Sequence, residues 1–332
     1  MTQPTPLSIL VPKETVSGEK RVALVPDVVG RLVKQGLAVH VESGAGAAAH
    51  FRDDAYVTAG AKIVPDAAAL FATAGLILKV QCPTPEEAGR FAPGSTLISQ
   101  LQPSRDGATI AALAARKVTA LSITLVPRIS RAQSMDVLSS QATVAGYKAV
   151  LIGAAAMGRF MPMLVTAAGT LPPATTFVLG AGVAGLQAIA TAKRLGSNVR
   201  AFDIRPEVKE QIESLGAVFG AAEAVSKDAT DAGGYAREAT AEERKAQGAA
   251  IAKHVAESDL VITTANVPGR KAPVLITAEM VKHMKAGSVI VDLAAESGGN
   301  CELTKPGETT VQHDVIILAP LNLPAEMPTH AS

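Results

Sequence analysis

The stretch T-T-F-V-L-G-A-G-V-A-G-L-Q-A-I-A-T-A-K-R-L-G, residues 175–196, constrains the fold of this 332-residue chain more than any other. A short β-branched and apolar run leads into three glycines, Gly180, Gly182 and Gly185, and then into apolar residues at helical spacing. A glycine-rich turn between a strand and a helix is the opening unit of a doubly wound α/β sheet. Gly180 permits the tight turn, Gly182 lets main chain approach a pyrophosphate with no Cβ in the way, and Gly185 lets the helix lie on the sheet. The unpaired N–H groups and dipole of the helix N-terminus then receive the anion. Gly180, Ala181, Gly182, Val183, Ala184 and Gly185 are therefore candidate dinucleotide-binding positions.

An acid stands at the matching distance. Asp203 ends N-V-R-A-F-D, 18 residues after Gly185, where a carboxylate accepts hydrogen bonds from an adenosine ribose. A 2′-phosphate there would meet a like charge, and losing a charge-assisted hydrogen bond of about 1.5 to 3 kcal/mol gives roughly ten- to hundredfold discrimination. This favours NAD(H) over NADP(H). Ile204 and Arg205 follow in the same site, and Arg205 argues either for a phosphate or for a solvated cap or adenine stacker.

The rest of the chain has the same grammar. From Leu7 to Thr124 the runs L-S-I-L-V, P-D-V-V-G-R-L-V-K-Q-G and L-A-V-H-V-E open a βαβ pattern, continued by apolar runs at 61–64, 75–80, 95–99 and 118–123. Six further strands are expected at 175–179, 198–202, 216–219, 260–265, 288–293 and 315–318. The reading is α/β: two Rossmann-like domains with doubly wound, mostly parallel sheets, joined by a long helix. Residues 1–135 form the first domain, 136–160 the bridging helix, 161–318 the second domain, and 319–332 a C-terminal segment returning toward the first. Residues 162–173 read as a hairpin turning at Ala168-Gly169, an exposed apolar arm suited to a dimer contact, and 221–247 as a mobile lid.

Composition removes other classes. A net charge of +1 leaves no electrostatic footprint for nucleic acid. Cys82 and Cys301 match neither a disulfide framework nor a metal-ligand spacing, which points to a reduced, cytoplasmic setting. No leader is expected from the N-terminal sequence, and no uninterrupted apolar run is long enough to span a membrane.

One polar cluster remains. The loop P-R-I-S-R-A-Q-S-M-D-V-L-S-S-Q, residues 127–141, gathers Arg128, Arg131, Gln133, Asp136, Ser139 and Gln141. Taken alone, it is equally an interdomain hinge with a helix cap. Together with P-K-E-x-x-x-G-E-x-R-V-A at 12–23, T-A-A-G-T-L-P-P-A, the glycine-rich run, A-G-G-Y-A, P-G-x-x-A-P-V-L-I-T and D-L-A-A-E-S-G-G-N-C, it resembles the NAD(H)-binding domain I of the proton-translocating nicotinamide nucleotide transhydrogenases over nearly the whole chain.

That resemblance implies direct, Re/Si-specific hydride transfer between NADH here and NADP⁺ on a separate NADP(H)-binding domain, coupled to proton passage through membrane-spanning transhydrogenase subunits. It implies a homodimer, held at the inner membrane through its partners. By it Arg128, Gln133 and Asp136 form the loop beside the nicotinamide, and Ser139 contacts the carboxamide. Gly234 and Tyr235 sit on the loop that closes over the nucleotide, and Thr264, Ala265, Asn266 and Val267 pass near the ring. Asn266 departs from the Leu frequent there, and the family continues with a helix beyond the point matching Ser332.

Chemistry points the same way. Hydride transfer between two nicotinamides moves no proton at the reacting carbons, so it needs apposition and water exclusion rather than an imidazole. His40, His50, His254, His283, His313 and His330 all lie outside these motifs. The sister family, alanine dehydrogenase, shares Arg21 and Lys79 as a substrate-carboxylate grip, but Gln102 stands where its histidine would be and Glu296 replaces an aspartate. A nucleotide-binding module without catalysis is the other alternative, separated by whether transfer follows binding.

Overall fold

The computed structural model describes residues 7–220, 241–266 and 271–332. The chain forms two compact units, residues 1–141 with 324–332, and residues 142–323.

In the first unit six strands, β1 Ser8–Val11, β2 Ala38–Glu42, β3 Lys62–Val64, β4 Leu76–Leu78, β5 Thr96–Ser99 and β6 Thr119–Ser122, form a sheet of order β3-β2-β1-β4-β5-β6. Every pair is parallel. All six arise from the short apolar runs expected to form strands. Successive side chains of β1 point to opposite faces, so Ile9 and Val11 join one core with Val29, Val41 and Tyr56, while Leu10 joins the other with Ile77, Phe91 and Leu97. Pro26 opens the helix Pro26–Lys34 and Gly36, at φ +85°, ends it, as Pro at a helix start and Gly past its end require. The last residues are tied into this unit. Val22 N–H donates to the Ser332 hydroxyl, Thr329 to the Ala49 carbonyl, and Gln141 to the Ala331 carbonyl.

The second unit contains the hairpin β7 Leu164–Thr166 and β8 Gly169–Leu171, then β9 Thr175–Leu179, β10 Asn198–Phe202, β11 Val218–Phe219, β12 Leu260–Thr263, β13 Val289–Asp292, β14 Thr309–Gln312 and β15 Val315–Leu318. Its sheet order is β11-β10-β9-β12-β13-β15-β14, and all but the last pair are parallel. The six parallel strands repeat the order of the first sheet, the doubly wound arrangement with its switch point beside β9. β12 and β13 are buried on both faces, which is why they read as unbroken apolar runs.

Three details correct the sequence expectations. β14 is absent from them: T-T-V-Q is an exposed edge strand, and its turn is His313-Asp314, both at positive φ, in place of the usual Asn-Gly. The 162–173 hairpin turns at Ala167-Ala168 rather than Ala168-Gly169, because Thr166 pairs with Gly169, which absorbs φ +129° as a strand residue. Of the expected lid, 221–240 lie outside the described residues, and from Ala241 the chain is already in the helix Ala241–Glu257.

The long helix is Val137–Ala156, inside the expected 136–160. Its small residues set how closely it packs. A Cβ on Gly146 would overlap the Ala184 carbonyl oxygen, and one on Gly153 would sit 2.6 Å from Leu260. Gly146→Ala is therefore expected to lower unfolding free energy by about 2 kcal/mol, the usual cost of forcing atoms into a packed contact, and to shift the denaturant midpoint. An unchanged midpoint would show that this contact is slack.

Candidate functional site

The glycine turn sits at the carboxyl edge of the second sheet, at the switch point. β9 ends at Leu179, Gly180 takes φ +96° with its N–H on the Phe202 carbonyl, and Gly182 begins the helix Val183–Arg194. The three glycines do different work. A Cβ on Gly180 would lie 2.6 Å from the Thr264 hydroxyl, and one on Gly185 would overlap the Gly180 carbonyl oxygen. A Cβ on Gly182 would meet no described atom within 4 Å. Residues 180 and 185 thus lack side chains for internal reasons, whereas residue 182 faces open space. Among the described residues no side chain caps this helix, so its first-turn N–H groups are available to an anion.

Asp203, 7% exposed, follows β10. Its Oδ2 accepts from the Ala181 N–H at 2.7 Å and from the Arg205 guanidinium at 2.9 Å. Its Oδ1 accepts from the Arg205 N–H at 2.9 Å and Nε at 3.0 Å. Arg205 is therefore neither a solvated cap nor a stacker in this structure, but the two-pronged partner of Asp203, whose hydrogen bonds raise the Arg205 pKa further. Ile204 is half-buried against the core beneath.

On the other side of β9, β12 leads into Thr264, Ala265 and Asn266. Thr264 donates its N–H to Leu179 and its hydroxyl to the Gly180 carbonyl at 3.0 Å. Ala265 is held by Asn300, and Asn266 is exposed. Sequence reasoning assigns no role to Asn300 or to its anchor Asp292; their signal is the D-L-A-A-E-S-G-G-N string, in which both polar residues flank a glycine pair. Val267, Gly234 and Tyr235 lie outside the described residues.

In the first unit the structure brings Arg128, Asp136 and Ser139 together at the start of the long helix. Asp136 accepts from the Ser139 N–H at 3.0 Å and hydroxyl at 2.7 Å, with Arg128 Nε at 3.7 Å, while the Arg128 guanidinium donates to the Ser139 hydroxyl at 3.3 Å. Burial pushes the Asp136 carboxyl up, but the Ser139 hydrogen bonds and the Arg128 charge outweigh it and hold it below its ordinary value. Gln133 is exposed on the 3-10 turn Ser130–Met135 and does not join this cluster.

Arg21 and Lys79, both 3% exposed, are occupied from within. Arg21 forks onto Glu19 at 2.7 and 2.8 Å and donates to Gln141 at 2.8 Å, and Lys79 meets Glu87 at 3.2 Å and Glu14 at 3.7 Å. Burial raises the Glu19 pKa, but hydrogen bonds from Arg21 and Gln81 and the Arg21 charge dominate and bring it down to about 2. Gln102 is exposed, and Glu296 accepts from the Asn322 N–H at 2.6 Å.

Family models for the N-terminal and C-terminal domains of alanine dehydrogenase/PNT match residues 10–145 and 149–332. The chain belongs to the alanine dehydrogenase/PNT family. Within it, the NAD(P) transhydrogenase alpha subunit of Rhodospirillum rubrum, in the first of the pieces into which that subunit is divided, is 49% identical over 98% of this chain and 86% of its own length. The transhydrogenase structure from Sinorhizobium meliloti superimposes with a TM-score of 0.87 at 43% identity, over 98% of this chain and 90% of that one. Alanine dehydrogenase of Bacillus subtilis is more distant, 33% identical over 96% of this chain and 80% of its own length. This family member thus carries Arg21 and Lys79, each already paired with its own carboxylates.

Two outcomes follow from this geometry. Gly185→Ala should destabilise the fold by about 2 kcal/mol or more, whereas Gly182→Ala should leave the thermal midpoint unchanged and weaken nucleotide binding; equal thermal effects would contradict the assigned roles. Glu19, with its pKa depressed from 4.5 to about 2, contributes stability above pH 4.5 that is lost as pH falls through 2. Glu19→Gln should cost about 3 kcal/mol at neutral pH by stranding Arg21, and should flatten the acid dependence in urea titrations between those pH values.

Proposed function

We propose that this chain binds NAD(H) on the turn after β9 and is the NAD(H)-binding component of a proton-translocating transhydrogenase. The observation that carries the reading is the open space at Gly182, set between two glycines that internal packing demands. Gly180, Ala181, Gly182, Val183, Ala184 and Gly185 cradle the diphosphate, and Asp203, Ile204 and Arg205 take the adenosine end. Asp203 already accepts four hydrogen bonds, so ribose hydroxyls enter by replacing those that Arg205 donates. Its charge disfavours a 2′-phosphate, giving the preference for NAD(H).

Thr264, Ala265, Asn266 and Val267 line the nicotinamide half, and Gly234 and Tyr235 close over the bound nucleotide. Arg128, Gln133 and Asp136 act at the nicotinamide with Ser139, roles supported by the resemblance in sequence. The reaction is direct transfer of a hydride, with its electron pair, from NADH to NADP⁺ bound on a partner subunit, oxidising one and reducing the other with no proton moved at carbon. The chain's part is to hold one ring and exclude water. Membrane-spanning subunits couple the transfer to proton passage, the chain works as a homodimer, and it lies in the cytoplasm at the inner membrane through those partners.

The test mixes the purified chain with an NADP(H)-binding domain and follows reduction of an NADP⁺ analogue by NADH. Transfer is expected; NADH binding without transfer would reduce the chain to an inert binding module. Asp203→Ala should weaken NADH binding by roughly ten- to hundredfold and narrow the gap to NADPH, measured by fluorescence titration. Unaltered affinities would remove Asp203 from the site.

A further inference from the structure

Asn300, with no exposed surface, ties four segments of the second unit together. Its side-chain Oδ1 accepts from the Ala265 N–H at 3.0 Å, and its Nδ2 donates to the Ala265 carbonyl and to the Pro273 carbonyl, both at 2.8 Å. Its own carbonyl accepts from the N–H groups of Leu275 and Ile276, and its N–H donates to Asp292 Oδ2 at 2.8 Å. The orientation of the carboxamide is fixed by chemistry: two carbonyls can face only the amide nitrogen, and one N–H can face only the oxygen.

Asp292 is equally buried and anchors this hub. It accepts from the Thr263 hydroxyl, the N–H groups of Ala294, Asn300 and Cys301, and the Thr304 hydroxyl, at 2.6 to 3.1 Å. Gly299, at φ +82°, lets the chain pass, since a Cβ there would lie 2.9 Å from the same carboxylate. The rigid bracket so formed ends on one peptide, that of Ala265. Its neighbour Thr264 is in turn bonded to the glycine turn through the Gly180 carbonyl.

That peptide has a functional position. In a doubly wound sheet a dinucleotide lies across the switch point, so the half not held at the β10 side, where Asp203 stands, lies over the ends of β12 and its neighbours. We infer that Asn300 is a positioning residue for hydride transfer, holding the Ala265 backbone that fixes the nicotinamide half of the bound dinucleotide. The inference rests on the NAD(H) reading proposed above. It assigns Asn300 no contact with the reacting atoms, and its effect falls on geometry at the ring rather than on the adenosine grip.

Asn300→Asp is the sharpest variant, because it keeps the shape and turns an oxygen toward the Ala265 and Pro273 carbonyls. Asn300→Ser, which removes the bracket without repulsion, covers the case in which Asn300→Asp does not fold. Each is compared with the unaltered chain for ADP-ribose binding, for single-turnover reduction of an NADP⁺ analogue on the NADP(H)-binding domain at saturating NADH, and for hydrogen exchange at the Ala265 amide. The expected result is ADP-ribose affinity within about twofold, transfer slowed at least about tenfold, and faster exchange at Ala265, since small displacements of a reacting ring cost rate steeply. Transfer unchanged in a folded variant, or ADP-ribose affinity falling as far as the transfer rate, overturns the inference. Failure of the unaltered chain to bind NADH would instead remove the reading on which it rests.

Discussion

The seating of the helix Val183–Arg194 on the end of β9 governs the rest of the nucleotide-binding unit. At Gly185 the helix meets the Gly180 carbonyl so closely that no side chain fits between them. That contact brings the helix N-terminus to the switch point of the sheet. It also aligns Gly180 with Thr264 across the neighbouring strand, and Ala181 with Asp203 at the end of β10. One close approach thereby places an anion-receiving helix end, a ribose-reading carboxylate and a backbone ledge around a single opening.

Charge in this chain is handled by internal pairing rather than exposure. Asp203 is matched by Arg205, Glu19 by Arg21, Asp136 by Ser139 and Arg128, and Asp292 by five neutral donors. A buried carboxylate without such partners would be costly. The pairing also has functional weight. It occupies Arg21 and Lys79, the two cations that would otherwise grip a substrate carboxylate, and it makes the adenosine carboxylate exchange one set of partners for another when nucleotide enters. Histidines serve elsewhere: His254 lies against the Phe177 ring at 5.1 Å, and His313 forms a turn.

Much of the fold was legible because doubly wound sheets write themselves as short apolar runs separated by helical periodicity. β12 and β13 show this plainly. What escaped had weaker local signals. β14 is half-exposed, and its turn uses His-Asp where Asn-Gly would have announced a hairpin. The 162–173 turn was displaced by one residue because Gly169 serves as a strand residue rather than a turn residue. Of the site, the glycines and Asp203 were readable from spacing alone. The engagement of Arg205 with Asp203, and the bracket of Asn300 on Ala265, depend on side-chain contacts that sequence spacing does not reveal.

The central claim is that the turn at Gly182 takes a dinucleotide whose adenosine ribose carries no phosphate. Isothermal titration calorimetry of the purified chain with NADH and, separately, with NADPH tests it most directly. Saturable NADH binding at one site per chain, with NADPH at least about tenfold weaker, is the predicted result. Tight uptake of NADPH with no detectable NADH binding would contradict the account.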